Sequence, residues 1–198
     1  MIDDIITINT DTNTITEKIL PYNILDLKSS ILKRIIPEYT GSLPNSNITN
    51  IAARLKMTMK LFGGVGLSAN QCGISERLFV IGADDFYLTC INPRIIASDN
   101  TKVKQKEGCL SAPGIFINIA RSPWVDIEYL DLSGNINNIK LTGITARIFQ
   151  HELEHLDGKS FLDYAGPVAI KLAEKKKDLL YKKVTRRKKV YNKQYNIV

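Results

Sequence analysis

Histidine is scarce in this chain: two residues among 198, His151 and His155, four positions apart. Cysteine is almost as rare. Cys72, Cys90 and Cys109 are odd in number and form no Cys-x-x-Cys pair, which argues against a disulfide framework and for a reducing compartment, and leaves one thiol as a candidate metal ligand. No uncharged apolar run approaches the roughly 18 residues that a membrane-crossing helix requires. The chain opens on Asp3 and Asp4, where an export signal would place positive charge ahead of an apolar segment. A soluble, cytoplasmic protein with no membrane partner is expected. Internal repeats, low-complexity tracts and an interdomain linker are also missing, so the chain reads as one domain, long enough to bury roughly 70% of its unfolded surface. The glycine-rich stretch Gly63 to Gly66 lacks the Lys-Ser/Thr ending of a phosphate loop and the helix and later acid of a dinucleotide fingerprint.

Charge is present but uneven. The net charge of +7 is concentrated in residues 171–193, which hold 11 Lys and Arg against 2 acids, while the remainder carries 16 against 18. A near-neutral body therefore precedes a basic end. We expect a catalytic domain over residues 1–182 and a basic tail over 183–198.

The two histidines sit in Gln150-His151-Glu152-Leu153-Glu154-His155, an H-E-x-x-H pattern. Residues four apart on a helix lie one above the other, so both imidazoles can point at one metal ion. Glu152 can then reach a water on that ion, whose pKa the metal lowers to about 7, and carry its proton. Ile144 and Ile148 continue the same face upstream, which predicts that the histidines stand on an apolar, core-facing stripe.

Other elements follow from periodicity. Residues 1–45, rich in Thr and Asn with Pro21, Pro37 and Pro44, are the least readable, apart from short apolar runs such as Ile5 to Ile8, and carry no assigned function. Ile48, Ile51, Ala52, Leu55, Met59 and Phe62 fall at helical spacing, with Ser46 or Asn47 as cap and Gly63-Gly64 as stop. The small residues Gly63 to Gln71 then allow another backbone to come close. Strands are predicted at 78–81, 87–91, 115–119, 125–129 and 136–141, with a hairpin turn at 131–135 and a loop at 107–114. The metal-binding helix should run from about Thr142 to Asp157 and stop at Gly158. A last helix has Pro167 near its start and Val168, Ala169, Leu172, Ala173, Leu179 and Leu180 on one face. The expected fold is α+β: short antiparallel strands surrounding a metal-binding helix, with a helix before the glycine-rich stretch and another at the C-terminal end.

Three separated stretches resemble, in order, the signature motifs of the peptide deformylases: Gly64-Val65-Gly66-Leu67-Ser68-Ala69-Asn70-Gln71, Glu107-Gly108-Cys109-Leu110-Ser111 and Gln150-His151-Glu152-Leu153-Glu154-His155-Leu156-Asp157-Gly158. The intervening Ile91-Asn92-Pro93 and Phe161-Leu162-Asp163-Tyr164 are similar to the family as well. The likeness spans roughly residues 47–182. It implies a hydrolase that removes the formyl group from N-formylmethionyl nascent chains and releases formate. It also implies Cys109 as third metal ligand beside His151 and His155, with one divalent ion, iron(II) by family habit, although the donor set suits zinc, nickel or cobalt. Gln71 and the backbone N–H of Leu110 are implied as donors to the oxygen that becomes negative, with Glu152 as proton carrier. Val65, Gly66 and Gly108 are implied to hold the peptide as an added strand, and Val65, Leu110, Ile148 and His151 to line the methionine pocket. Two positions depart from the family's usual text: Glu154 stands where Asp is common, and Ser68 where Ala is.

Two rival readings are weaker. A zinc protease needs a third ligand downstream of H-E-x-x-H, where this chain has no histidine and only Asp163, Glu174 and Asp178. A nucleic-acid-binding protein with a structural metal accounts for the basic end but has no use for Glu152 and Gln71. The chain is expected to act as a monomer, with the basic end as a candidate contact to ribosomal RNA.

Overall fold

A computed structural model describes residues 20–83 and 86–194. The Ile5 to Ile8 run lies outside them. Helix α1 spans Ser46–Leu61, followed by strands β1 (Gly66–Ser68), β2 (Leu78–Ala83), β3 (Phe86–Ser98), β4 (Val103–Cys109), β5 (Ala112–Arg121), β6 (Trp124–Leu130) and β7 (Ile136–Thr142). Helix α2 spans Gly143–Leu156, and α3 Pro167–Gln194. The strands form a five-stranded antiparallel sheet in the order β1-β2-β3-β6-β7 and a separate β4-β5 hairpin. The α+β expectation is met, and the five predicted strands are all present.

Two strands escaped prediction, and their composition explains why. β1 is three residues long and begins with glycine, and β4 reads Val-Lys-Gln-Lys-Glu-Gly-Cys, too polar to register as a strand. The stretch 107–114, expected as a loop, is instead the end of β4, a tight turn and the start of β5.

Alternation along β2 places the two large helices. Phe79 and Ile81 point to one side and pack with Val125, Ile127, Leu141, Phe149 and Leu153, the α2 side. Leu78 and Val80 point to the other and pack with Ile48, Ile51, Leu55 and Met59 of α1. The sheet is thus covered on both faces at this end. Phe79 meets Phe149 edge-on, ring centroids 5.1 Å apart, a geometry favoured by the ring quadrupoles. A third cluster joins Ile115, Ile117 and Ile119 of β5 to Phe161 and Ala173.

The segment before α1 belongs to this core, contrary to the expected start of the resemblance at residue 47. Ile31, Leu32 and Ile36 are buried beneath α2. Backbone N–H groups of Leu25, Leu27 and Ile36 donate to the carbonyls of Gln71, Ser111 and Leu156. Helix α2 ends against the same segment: Gly158 has φ 71°, and a Cβ there would meet the backbone of Arg34 at 2.8 Å. Thr- and Asn-rich text hid this role because the segment has almost no regular structure of its own.

Three helix details differ from expectation. The cap of α1 is Asn45, whose side chain accepts from the N–H groups of Asn47 and Ile48, one position ahead of the predicted candidates. Phe62 and Ile144, expected on buried faces, are more than half exposed. Helix α3 continues unbroken past 182 to Gln194, and it touches β5 through Ala169, Ile170 and Ala173, while Val168, Leu172, Leu179 and Leu180 face solvent. Ala169 and Ala173 let the helix approach the hairpin closely beside Ile170, while the other large apolar side chains lie off the contact.

Asn45→Ala should lower the unfolding free energy by about 1 kcal/mol through loss of the cap, whereas Asn47→Ala should change it by no more than about 0.5 kcal/mol. Urea denaturation of both variants distinguishes the two; equal losses would contradict the assignment of Asn45 as cap.

Candidate active site

Helix α2 presents His151, Glu152 and His155 on its buried side. Gly143 donates to the carbonyl of Pro123 at its start. At its end the amide of Asn70 donates to the carbonyl of His155 at 2.5 Å, and Arg77 donates to the carbonyl of Leu156 and pairs with Asp157 at 2.7 Å. The helix is therefore fixed at both ends by other parts of the chain. Cys109 arrives at the end of β4, where the β4-β5 register shifts.

One ligand atom from each of Cys109, His151 and His155 falls within a cluster 4.8 Å across. Cys109 Sγ lies 3.2 Å from His155 Nε2. The sulfur-to-nitrogen edge of a tetrahedral zinc-type site is about 3.5 Å, so these donors need little movement to share one ion. Burial, followed by the nearby His151 and Arg121, holds His155 well below the ordinary histidine pKa and keeps it as the neutral imidazole that metals bind. Burial opposes charge on His151 as well, but Cys109 and Glu107 outweigh it and raise its pKa to about 10. The donor set, burial and spacing all fit a divalent ion.

Behind His151 lies a group of buried charges that sequence reading passed over. Glu107 faces His151 Nδ1 at 3.1 Å, which holds the proton on that nitrogen and leaves Nε2 for a metal. Arg121 donates to both oxygens of Glu107, at 2.6 and 2.9 Å, and to both of Glu154, at 2.5 and 2.9 Å. Arg147 donates to Glu107 and to the carbonyls of Ile119 and Val103. Burial alone would raise the Glu107 pKa, but hydrogen bonds from His151 and Arg121 more than offset it and bring it down to about 2. A sequence signal did exist: Arg147 lies four residues before His151, hence on the same helical face.

Glu152 is enclosed differently. Its Oε2 is buried without a partner among the described residues, and burial raises its pKa to about 7, against the opposing charges of His151 and Arg121. A carboxyl poised there exchanges its proton near neutrality. Gln71 is held by its own surroundings: its Oε1 accepts from Ser68, and its Nε2 reaches Ser111 Oγ at 3.1 Å and Cys109 Sγ at 3.4 Å.

A pocket of about 500 Å³ opens over these groups. Val65, Gly66, Gln71, Gly108, Cys109, Leu110, Ile148, His151 and Glu152 all contribute to its wall, so the structure brings together every expected site residue except His155, which lies beneath. Ile144 forms part of the rim, which explains its exposure: the apolar stripe of α2 faces the pocket at that end and the core only further along. Glycine at 64 and 66 makes room for side chains, where close approach by another backbone was expected. A Cβ on Gly66 would collide with Glu152 and Ile148, and one on Gly64 with Leu110. Cys90 is fully buried and Cys72 partly so; burial pushes the Cys72 thiol up to about 12 and Cys90 higher still, which fits two inert structural thiols.

A Cys-His-His cluster with buried histidines and a half-buried cysteine, and with a carboxyl and a carboxamide converging on one apolar pocket, defines a metal-dependent hydrolase. Residues 21–170 match the polypeptide deformylase family model, a longer span than the 47–182 expected at its N-terminal side and a shorter one at the other. A peptide deformylase of Endomicrobium trichonymphae is 39% identical over 148 residues, covering 73% of this chain and 83% of that protein. The Plasmodium falciparum peptide deformylase in complex with inhibitor superposes with a TM-score of 0.71 at 35% identity, over 81% of this chain and 99% of its own. An Acinetobacter baumannii peptide deformylase with Met-Ala-Ser bound gives 0.71 at 27% identity, over 74% and 99%. This chain belongs to the peptide deformylase family, metal-dependent hydrolases that remove the formyl group from the N-terminus of nascent peptides.

Glu107→Gln should weaken metal binding by roughly tenfold to hundredfold in competition with a chelator, because His151 loses the acceptor that fixes its tautomer. It should also cost about 3–5 kcal/mol of stability by leaving two buried guanidinium groups short of charge. Metal affinity unchanged in this variant would restrict Glu107 to a structural role.

Proposed function

We propose that this protein deformylates N-formylmethionyl peptides with Cys109, His151 and His155 holding the metal and Glu152, Gln71 and Leu110 acting on the substrate. A divalent ion held by Cys109, His151 and His155 would supply Lewis acidity toward the formyl oxygen and would lower the pKa of a nearby water. Glu152 takes a proton from the attacking water as its oxygen adds to the formyl carbon. It returns that proton to the amine nitrogen as the carbon–nitrogen bond breaks, releasing formate and a free N-terminus. The observation that carries this reading is the convergence of Cys109, His151 and His155 within 4.8 Å of one another beside the buried, unpartnered Glu152 Oε2 at the pocket wall; burial raises the pKa of that carboxyl, which suits a group that takes and gives one proton.

The formyl oxygen gains negative charge as its carbon becomes tetrahedral. Gln71 Nε2 and the backbone N–H of Leu110 are assigned to stabilise it. Gln71 suits the task because its oxygen is already bound by Ser68, which turns the NH₂ end toward Cys109. The peptide is assigned an extended path past Val65, Gly66 and Gly108, with the methionine side chain in the apolar pocket beside Val65, Leu110, Ile148 and His151. The Met-Ala-Ser peptide in the Acinetobacter baumannii structure supports a methionine-first substrate.

Iron(II) is our assignment for the physiological ion, with zinc, nickel and cobalt as chemically admissible substitutes for the same donors. We place the enzyme in the cytoplasm as a monomer; no helix among the described residues is long and apolar enough to cross a membrane. The basic end of α3 is assigned to ribosomal RNA, where nascent formylated chains emerge. From Glu174 to Lys183 the described side chains are exposed, so this length of helix is free to meet phosphates.

Glu152→Gln should keep its metal and lose formate release by several orders of magnitude on a formyl-Met tripeptide assayed anaerobically with iron(II) or nickel(II). Near-full turnover would remove Glu152 from proton transfer.

Deletion of residues 183–198 should leave tripeptide turnover intact and weaken ribosome co-sedimentation at low salt. Unchanged co-sedimentation would make the basic end ordinary solvated charge.

A further inference from the structure

We infer that Ser68 is a positioning residue for catalysis, its hydroxyl fixing and polarising the Gln71 carboxamide; the inference rests on the proposed role of Gln71 as donor to the formyl oxygen. Both residues are buried, Ser68 at 0% and Gln71 at 1% exposure. Gln71 Oε1 receives two bonds from Ser68, one from its backbone N–H and one from its hydroxyl, each 2.9 Å long. A backbone N–H only donates, so the atom it meets is the amide oxygen, and the hydroxyl, facing the same oxygen, donates as well. The orientation of the carboxamide follows from this and leaves Nε2 on the side of the metal cluster.

There the two hydrogens of Nε2 find Ser111 Oγ at 3.1 Å and Cys109 Sγ at 3.4 Å. The second contact points at the cluster and ends on sulfur, a weaker acceptor than oxygen, so a substrate oxygen arriving there can take that hydrogen. Two bonds on Oε1 have two effects on it. One bond would let the amide pivot about a single contact, and the second removes that freedom. Hydrogen bonds accepted by an amide oxygen also draw charge from its nitrogen, which makes the N–H a stronger donor by cooperative polarisation. Both effects act on the group that has to meet an oxygen whose charge exists only transiently, so they should be felt in turnover more than in substrate binding.

The spacing allows a purely structural alternative. Ser68 and Gln71 stand three apart around the short turn Ala69–Cys72, in the arrangement of a capping box, in which the hydroxyl would serve the turn alone. A hydroxyl of that kind would alter stability and leave the reaction step untouched.

The test measures kcat and KM on a formyl-Met tripeptide for Ser68→Ala, Gln71→Ala and the double variant of the metal-loaded full chain, with kcat expressed per bound metal and thermal midpoints recorded. Ser68→Ala should lower kcat roughly fivefold, the effect of one lost hydrogen bond, with KM held within about twofold. In the Gln71→Ala background the same substitution should change kcat by less than about twofold, because the group through which it acts is gone. A fall in kcat of equal factor in both backgrounds would overturn the inference, as would a Ser68→Ala enzyme with unchanged kcat and a lowered thermal midpoint. An unchanged kcat in Gln71→Ala would instead defeat the donor role on which the inference rests.

Discussion

The structure turns on the carboxylate of Glu107. From β4 it meets Arg121 of β5 and both His151 and Arg147 of α2, so one side chain ties the strand that carries the cysteine to the helix that carries the histidines. Such a group is expensive to bury, since each ion must leave water, and the attraction repays this only where geometry is good and the remaining donors are satisfied. Here they are satisfied: Arg147 finishes on the carbonyls of Ile119 and Val103, and Arg121 on Glu154. The network does little for stability that well-packed apolar residues could not do. What it adds is direction, because His151 offers one particular nitrogen at one particular place.

Glu154 takes a share in this arrangement. Glu154 binds Arg121 with two hydrogen bonds, so its carboxylate is engaged by the charge network. The pair also shapes the proton chemistry at a distance. Arg121 is among the charges that oppose the burial of Glu152, and Glu107 is among those that reinforce it. The charge network and Glu152 are therefore coupled through the field, although no hydrogen bond joins them among the described residues.

On the opposite wall of the pocket, fixation is achieved with neutral groups. Ser68, Ser111 and the backbone at Leu25 hold Gln71 by side chain and main chain alike. The N-terminal segment belongs to this wall: its N–H groups at 25 and 27 bind the carbonyls of Gln71 and Ser111, and at 36 that of Leu156. Residues that look structureless in sequence thus brace all three signature stretches at once.

The sequence by itself pointed to His151 and His155 as candidate ligands with Glu152 beside them, and to the two large helices and five of the seven strands among the described residues. Those features are local: an i, i+4 pair of histidines on one helix face, a 3.6-residue period and a two-residue alternation are written in neighbouring residues. It also identified the family from three ordered motifs. What tertiary structure decided was non-local. The cap of α1, the exposure of Ile144 and Phe62, the role of residues 20–45, the short strand β1 and the polar strand β4 depend on partners far along the chain. Glu107, Arg121 and Arg147 are separated by 14 to 40 positions and have no shared periodicity. A buried charge declares its purpose only when its counter-charge stands beside it, and the fold alone sets that distance.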